Sequence, residues 1–301
     1  MNTFSIAERA KYLRLAALTV SEGMRTGGFR SCFRGQGIEF DSVREYERGD
    51  DIRSIDWNVT ARSGRPFVKL YREERELTVF LVVDDSLSMN SGSSPVSRRE
   101  KALEAAALLA FAAEQNASPV GSAVFDGDIG KSFAPRSGKD QVLAILTDLE
   151  KRKRGRAGSA LGGALAGTSR MLRGRALVAI LSDFRTTGYE KSLGALARRH
   201  DVLAVRIVSP VDSSLPSAGY VPFFDPESGE RVSFATGSPA FRAHWERESS
   251  ESIRRWEHLC ARRGVSSLVM STGDDACAVL SRFFSGRREV SSWSGGPTGA
   301  I

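Results

Sequence analysis

Hard oxygen donors gather around one short segment of the chain. Asp84-Asp85-Ser86-Leu87-Ser88 follows directly on Leu77 to Val83, a nearly continuous apolar run rich in Val. A carboxylate at the end of a buried strand, with hydroxyls two and four residues further on, can bring Asp84, Ser86 and Ser88 to one point. Two more donors arrive from elsewhere. Ser159 lies in Gly158-Ser159-Ala160-Leu161-Gly162-Gly163-Ala164-Leu165, just ahead of a helical stretch, and Asp183 lies in Leu181-Ser182-Asp183-Phe184, at the end of another apolar run. Oxygen-only ligation with several neutral hydroxyls suits Mg²⁺ or Mn²⁺, which are rarely caged by protein alone. Two protein carboxylates leave positions for water, or for an acidic side chain of another protein. Asp85 points away from its neighbours in an extended chain and is expected behind the ligands or facing solvent.

A lone Asp-x-Ser-x-Ser at a strand end is often only a turn and helix cap; three separate pieces in order favour a cation over five residues that merely bond one another. Other chemistries fit less well. A phosphotransferase of the haloacid dehalogenase type wants a second Asp where this chain has Ser86, and without it the general acid is missing. Ser137-Gly138-Lys139-Asp140 lacks the earlier Gly and the final hydroxyl of a P-loop, and Gly35-Gln36-Gly37 is followed by Phe40 where a dinucleotide fingerprint wants Gly. His200, His244 and His258 have no zinc spacing, and His258 and Cys260 face different sides of a helix. No catalytic residue is assigned and the protein is expected not to be an enzyme; a metal-dependent phosphoester hydrolase is the alternative.

The elements that must position these donors follow from the hydrophobic pattern. Val-rich runs at Leu77 to Val83, Val120 to Phe125, Ala176 to Leu181, Val202 to Val208 and Ser267 to Met270 predict strands covered on both faces. Helical spacing fills the intervals at Arg98 to Gln115, Gln141 to Leu149, Leu161 to Leu172, Lys191 to Arg199, Ala240 to Arg263 and Ala276 to Phe284. This alternation predicts an α/β fold with a doubly wound, mostly parallel sheet, in which loops at adjacent strand ends flank the crevice at the switch point. Asp128 to Phe133 is short enough to be an edge strand. Val211 to Pro239 is a long insertion with a hairpin, of the length that often carries function. An amphipathic helix over Ile6 to Val20 opens the chain and is expected to pack on the body. Gly27 to Tyr71 then breaks into short Gly-, Arg- and Asp-rich pieces with strand-like fragments at Gly37 to Phe40 and Phe67 to Tyr71.

In order and context, Asp84, Ser86, Ser88, Ser159 and Asp183 resemble the metal-ion-dependent adhesion site (MIDAS) of von Willebrand factor type A domains. That family usually has Thr where this chain has Ser159; Ser keeps the hydroxyl but loses a methyl that helps fix the rotamer. The resemblance implies that the hydroxyls can ligate directly and the aspartates often through water. Ahead of this region stand Gly35-Gln36-Gly37-Ile38-Glu39-Phe40, Arg44-Glu45-Tyr46, Gly49-Asp50-Asp51-Ile52-Arg53-Ser54-Ile55-Asp56-Trp57, Ala61-Arg62 and Phe67-Val68-Lys69. This block resembles the family called domain of unknown function 58, and the likeness spans about Gly27 to Arg287. It implies an N-terminal helix and small β-containing module over 1–75, a von Willebrand factor type A-like domain over 76–285, and a tail over 286–301, expected to be disordered. Such proteins are commonly encoded beside MoxR-type AAA+ ATPases, which implies a protein-binding adaptor or co-chaperone for such a motor, with an acidic protein ligand. Arg44 and Arg53 with Asp50, Asp51 and Asp56 are expected to form buried ion pairs that fix the small module onto the α/β body, with Trp57 as the apolar anchor, rather than a direct binding surface.

The chain has 301 residues with a hydrophobic content of 41%, enough for a sizeable core without disulfides. Cys32, Cys260 and Cys277 are too few and too scattered for a disulfide framework and suit free thiols in a reducing compartment. The longest apolar run, Ala105 to Ala113, is too short to span a bilayer, so no membrane insertion and a cytoplasmic location are expected. The formal charge of +7 is consistent with an acidic partner. Lys151-Arg152-Lys153-Arg154-Gly155-Arg156, the densest basic run, leads to Ser159 and is either a solvated loop or a docking element. It lacks interleaved aromatics, so nucleic acid is not favoured as a partner.

Overall fold

Each Val-rich run becomes a strand of one sheet. A computed structural model describes residues 6–26, 37–74, 77–91, 95–152, 156–224 and 229–290. The strands are β1 (Gly37–Glu45), β2 (Phe67–Glu74), β3 (Thr78–Asp84), β4 (Val120–Phe125), β5 (Ile129–Arg136), β6 (Ala176–Ser182), β7 (Asp201–Val208), β8 (Tyr220–Phe224), β9 (Arg231–Ala235) and β10 (Ser266–Ser271). The helices are α1 (Ile6–Thr26), α2 (Trp57–Ser63), α3 (Arg98–Gln115), α4 (Lys139–Lys151), α5 (Leu161–Met171), α6 (Glu190–Ala197), α7 (Pro210–Ser213), α8 (Pro239–Arg262) and α9 (Ala276–Val290).

The main sheet has six strands in the order β10-β7-β6-β3-β4-β5, parallel except for β5, which runs antiparallel to β4 at the edge. This is the doubly wound, mostly parallel sheet that the hydrophobic pattern predicts, in keeping with the von Willebrand factor type A-like fold that the resemblance implies. β3 is central because both its neighbours cover it. Val79, Leu81 and Val83 enter the core shared with α1, α3, α4 and α9, while Phe80 and Val82 enter the core shared with α5, α6 and α8, as the period of two requires. The chain steps from β3 to β4 on one side and returns to place β6 on the other. The carboxyl end of β3 is therefore the switch point, where open α/β sheets hold their ligands.

Local chemistry fixes the helix starts. Ser97 and Glu100 close a capping box at the head of α3, and Ser238 with Pro239 starts α8. In the insertion, β8 and β9 pair antiparallel, and Phe223, Phe234, Phe241 and Trp245 form an aromatic cluster that fastens this hairpin to the start of α8. α1 packs on α3 and α9 and buries Ala17, Val20 and Met24 in the core, so the N-terminal helix is part of the α/β body.

The small module is an antiparallel β1-β2 pair with α2 between its strands. Its acidic residues act mainly as caps rather than in buried pairs. Asp51 accepts from Arg53 N, and Asp56 accepts from Asn58 N and Val59 N at the head of α2. Arg44 does grip Asp50 with two bonds of 2.7 Å, but on the surface. Trp57 is 67% exposed and is not an anchor, because the first residue of this short helix faces solvent. The expected tail also differs. α9 continues to Val290, since Arg287-Arg288-Glu289 are compatible with a helix and Gly286 alone costs only about 1 kcal/mol; residues 291–301 lie outside the described residues.

Among the described residues no helix is long and apolar enough to cross a membrane. Cys260 and Cys277 are free thiols, and burial pushes the Cys260 thiol up to about 12, which leaves it inert. Cys32 lies outside the described residues.

Candidate metal centre

Three loops meet at the carboxyl ends of β4, β3 and β6. The first, after β3, folds Asp84, Ser86 and Ser88 inward, all three buried. Asp84 Oδ1 accepts from Ser86 N at 2.9 Å, and the Ser86 and Ser88 hydroxyls lie 3.1 Å apart. The other Asp84 oxygen accepts from the Ser182 hydroxyl at the end of β6, and Ser182 Oγ in turn accepts from Phe184 N.

Asp183 follows Ser182 and is itself buried. Its Oδ1 accepts from Arg185 N, while its Oδ2 has no hydrogen-bond donor; the nearest cation is Arg185 Nε at 3.8 Å. Phe184 adopts φ +52°, a left-handed conformation that costs a bulky residue about 1–2 kcal/mol. The ring packs against Tyr189 and Trp256, and that packing holds the turn which aims Asp183. Burial and then the charge of Asp183 push the Asp84 carboxyl up to about 7, outweighing the bonds from Ser182 and Ser86. Asp84 and Asp183 are thus two buried carboxylates close enough for the charge of one to act on the other, with Arg185 at the edge of the pair.

Ser159 comes from the third loop. Asp126, just past β4, organises it: the Asp126 carbonyl accepts from Ala160 N, Oδ2 accepts from Arg156 N, and Oδ1 accepts from Asp128 N. β4 is the neighbour of β3, with Phe125 opposite Asp84, so this clasp brings the Ser159 loop beside the Asp84 turn. Ser159 Oγ is buried, and no hydrogen bond joins it to the other four residues. Among the described residues no three His, Cys, Asp or Glu side chains gather into a cation site. The donors here are two carboxylates and three hydroxyls, two of whose buried oxygens lack a donor, and this set fits a hard divalent cation.

Asp85 is not solvent-facing. It is buried and accepts from Arg99 Nε at 2.6 Å and Arg152 Nε at 3.0 Å, tying the Asp84 turn to α3 and to the end of α4. The basic run is therefore divided: Arg152 turns inward, Arg156 is exposed, and 153–155 lie outside the described residues. Several contributors carry no sequence signal. Arg98, 2% exposed, donates to the Ser88 carbonyl and to both oxygens of Asp212 in α7, and Arg185 donates to Asp212 as well. In sequence, Arg98 is one more Arg in a helix start and Asp212 one more acid in a loop. Ser182 and Asp126 stand beside strand ends, and their position after a buried run was the one available clue.

The raised Asp84 carboxyl sets the sign of a pH effect. A folded-state value above the ordinary 3.8 means that the folded chain holds a proton the unfolded chain has lost. Metal-free protein is thus expected to lose stability as pH rises from about 4 to about 7, checked by urea unfolding in chelator across that range. Asp84→Asn should flatten this slope.

The chain matches the family described as "Protein of unknown function DUF58" over residues 42–255. It is 31% identical over 285 residues to the uncharacterized protein Rv1480 of Mycobacterium tuberculosis, covering 93% of this chain and 90% of that one. It is 30% identical over 166 residues to the uncharacterized protein MAV169 of Mycobacterium avium, covering 51% of this chain and 92% of the relative. Among solved structures it is similar to the conserved hypothetical protein BatB of Bacteroides thetaiotaomicron, at 19% identity and a TM-score of 0.49, covering 71% of this chain and 99% of that one. It is also similar to the SpRpn10 VWA domain, at 13% identity and a TM-score of 0.37, covering 68% and 93%. The fold class rests on the strand order itself rather than on these likenesses.

Proposed function

The chain belongs to the DUF58 family, and on that premise we propose that it is a non-catalytic adaptor that binds other proteins through a divalent cation, Mg²⁺ or Mn²⁺, held by Asp84, Ser86, Ser88, Ser159 and Asp183. The observation that carries this reading is Asp183 Oδ2, buried without a hydrogen-bond donor beside the buried Asp84 carboxylate, with Ser159 Oγ, also buried without a partner, in the loop that Asp126 clasps to the end of β4. Burying such groups unpaired costs about 1–3 kcal/mol each, and more when charged, unless something satisfies them. A bound cation would supply that charge and an open position for a carboxylate of an acidic protein ligand. The residues around it orient and support: Ser182 and Ser86 hold Asp84, Asp126 holds the Ser159 loop, and Asp85 locks the turn to α3 and α4.

His200, buried with both ring nitrogens unbonded, stands immediately ahead of β7, at the amino end of the sheet and away from the site. A MoxR-type AAA+ ATPase as partner is supported by family kinship, and the coupling would be adaptor to motor.

Isothermal titration calorimetry with Mg²⁺ and Mn²⁺ tests the reading. Saturable binding by the wild type, lost in Asp84→Ala with the circular dichroism spectrum unchanged, is the expected outcome. Pull-down of the ATPase with and without chelator then tests the partner. Wild type that binds neither ion, or partner capture indifferent to both chelator and Asp84→Ala, would sink it.

A further inference from the structure

Helix α3 is apolar on nearly every side, with Ala102, Ala105, Ala106, Leu108, Leu109 and Ala112 among its buried residues. A helix of that kind is one covered all round. Among the described residues the cover is incomplete. The sheet lies beneath α3 and α1 and α4 flank it, but between the two flanking helices a groove of about 260 Å³ stays open. Its floor is Leu103, Ala107 and Phe111 of α3, and its walls include Leu143 and Leu146 of α4 and Leu13 of α1. Leu143 is 37% exposed, and Tyr12 and Leu15, next to Leu13 on α1, are 66% and 61% exposed.

The rim is acidic on a chain whose formal charge is +7. Glu100, Glu104 and Glu150 border the groove. Lys101 offsets Glu104 at 2.8 Å, and Glu100 also serves the α3 cap, but among the described residues the exposed Glu100 and Glu150 face no basic partner in the groove. Among the described residues that line the groove, the basic one, Arg99, is directed to Asp85 and to the carbonyls of Leu149 and Arg152.

We propose that this groove docks a basic amphipathic helix of a partner protein, with apolar side chains on the α3 floor and Lys or Arg against Glu100 and Glu150. The floor residues are spaced four apart over about 12 Å of helix, the length over which a docked helix presents two turns of apolar anchors. The site is separate from the candidate metal centre and does not depend on it.

A fluorescein-labelled helical peptide composed of Leu and Lys is the probe, read by fluorescence anisotropy against the full chain, with a Leu and Glu peptide of the same pattern as control. The Leu and Lys peptide is expected to bind saturably and to weaken with salt. Leu143→Asp and Glu150→Lys should each weaken it at least about ten-fold, with folding confirmed by circular dichroism. Asp84→Ala and chelator should leave binding unchanged, which separates this result from the fate of the metal site. Equal binding of the Leu and Glu peptide, no binding, or indifference to both groove variants would overturn the assignment. So would a dimer in sedimentation that Leu143→Asp dissolves, since the groove would then belong to a second copy.

Discussion

Asp212→Ala is expected to lower stability by about 3–5 kcal/mol, and Arg98→Met by distinctly less. The difference follows from what each change leaves behind. Removing Asp212 leaves the Arg98 guanidinium, 2% exposed, with only the neutral oxygens of Ser88 and Ser91 and, among the described residues, no other carboxylate within ion-pair distance. Removing Arg98 leaves Asp212 16% exposed and still held by Arg185 at 2.7 Å. Urea unfolding of the two variants gives the comparison, and a larger loss for Arg98→Met would mean that the carboxylate, not the guanidinium, is the group that cannot stand alone. The pH dependence is opposite in sign to that of Asp84. Burial pushes the Asp212 carboxyl up, but Arg98 and Arg185 together outweigh it and hold it below the ordinary 3.8. A depressed folded-state value gives stability that is complete above the unfolded value and lost as pH falls through the folded one. The gap between wild type and Asp212→Ala should therefore narrow only below about pH 4. Because Arg98 also holds the Ser88 carbonyl, either variant should loosen the turn that carries Ser86 and Ser88.

Gly127→Ala is expected to cost about 1–3 kcal/mol and to weaken Mg²⁺ binding about ten-fold, although Gly127 is none of the donors. A Cβ there would stand 2.1 Å from the Ala157 carbonyl oxygen, backbone against backbone. The loop cannot yield without stretching the bonds from Arg156 N and Ala160 N to Asp126, and those bonds place Ser159. Gly167→Ala is the matched control, since a Cβ there meets nothing within 4 Å inside α5; it should be neutral or slightly stabilising. Calorimetry and thermal unfolding of the pair decide the matter. If Gly127→Ala binds Mg²⁺ like the wild type, the Ser159 loop is not a part of the site.

The von Willebrand factor type A-like core was legible in the residues because its strands are buried on both faces. Such strands must be continuous apolar runs, and runs such as Val120 to Phe125 end where the structure ends them. The antiparallel edge strand and the hairpin in the insertion were legible for the same local reasons, turn residues and short alternation. The Asp84, Ser86 and Ser88 turn was readable because its geometry is set within five residues by a strand that stops. The placing of Asp183 required the strand order, since β6 beside β3 sets Ser182 against Asp84, and that of Ser159 required Asp126 at the end of β4, which clasps the loop between α4 and α5.

What the sequence could not contain is the partner of each charge. Asp85 was expected either behind the ligands or facing solvent, and the fold decides for the first, since Arg99 from α3 and Arg152 from beyond α4 bury it. Trp57 looked like an anchor and stands in solvent, because a short helix leaves its first residue outside the module. Arg98 and Asp212 are 114 positions apart and pair only because the insertion begins over the head of α3. Hydrophobic periodicity is local and survives in one dimension. Charge pairing across elements is decided by which ends the tertiary fold brings within a few ångströms, and so it belonged to the structure alone.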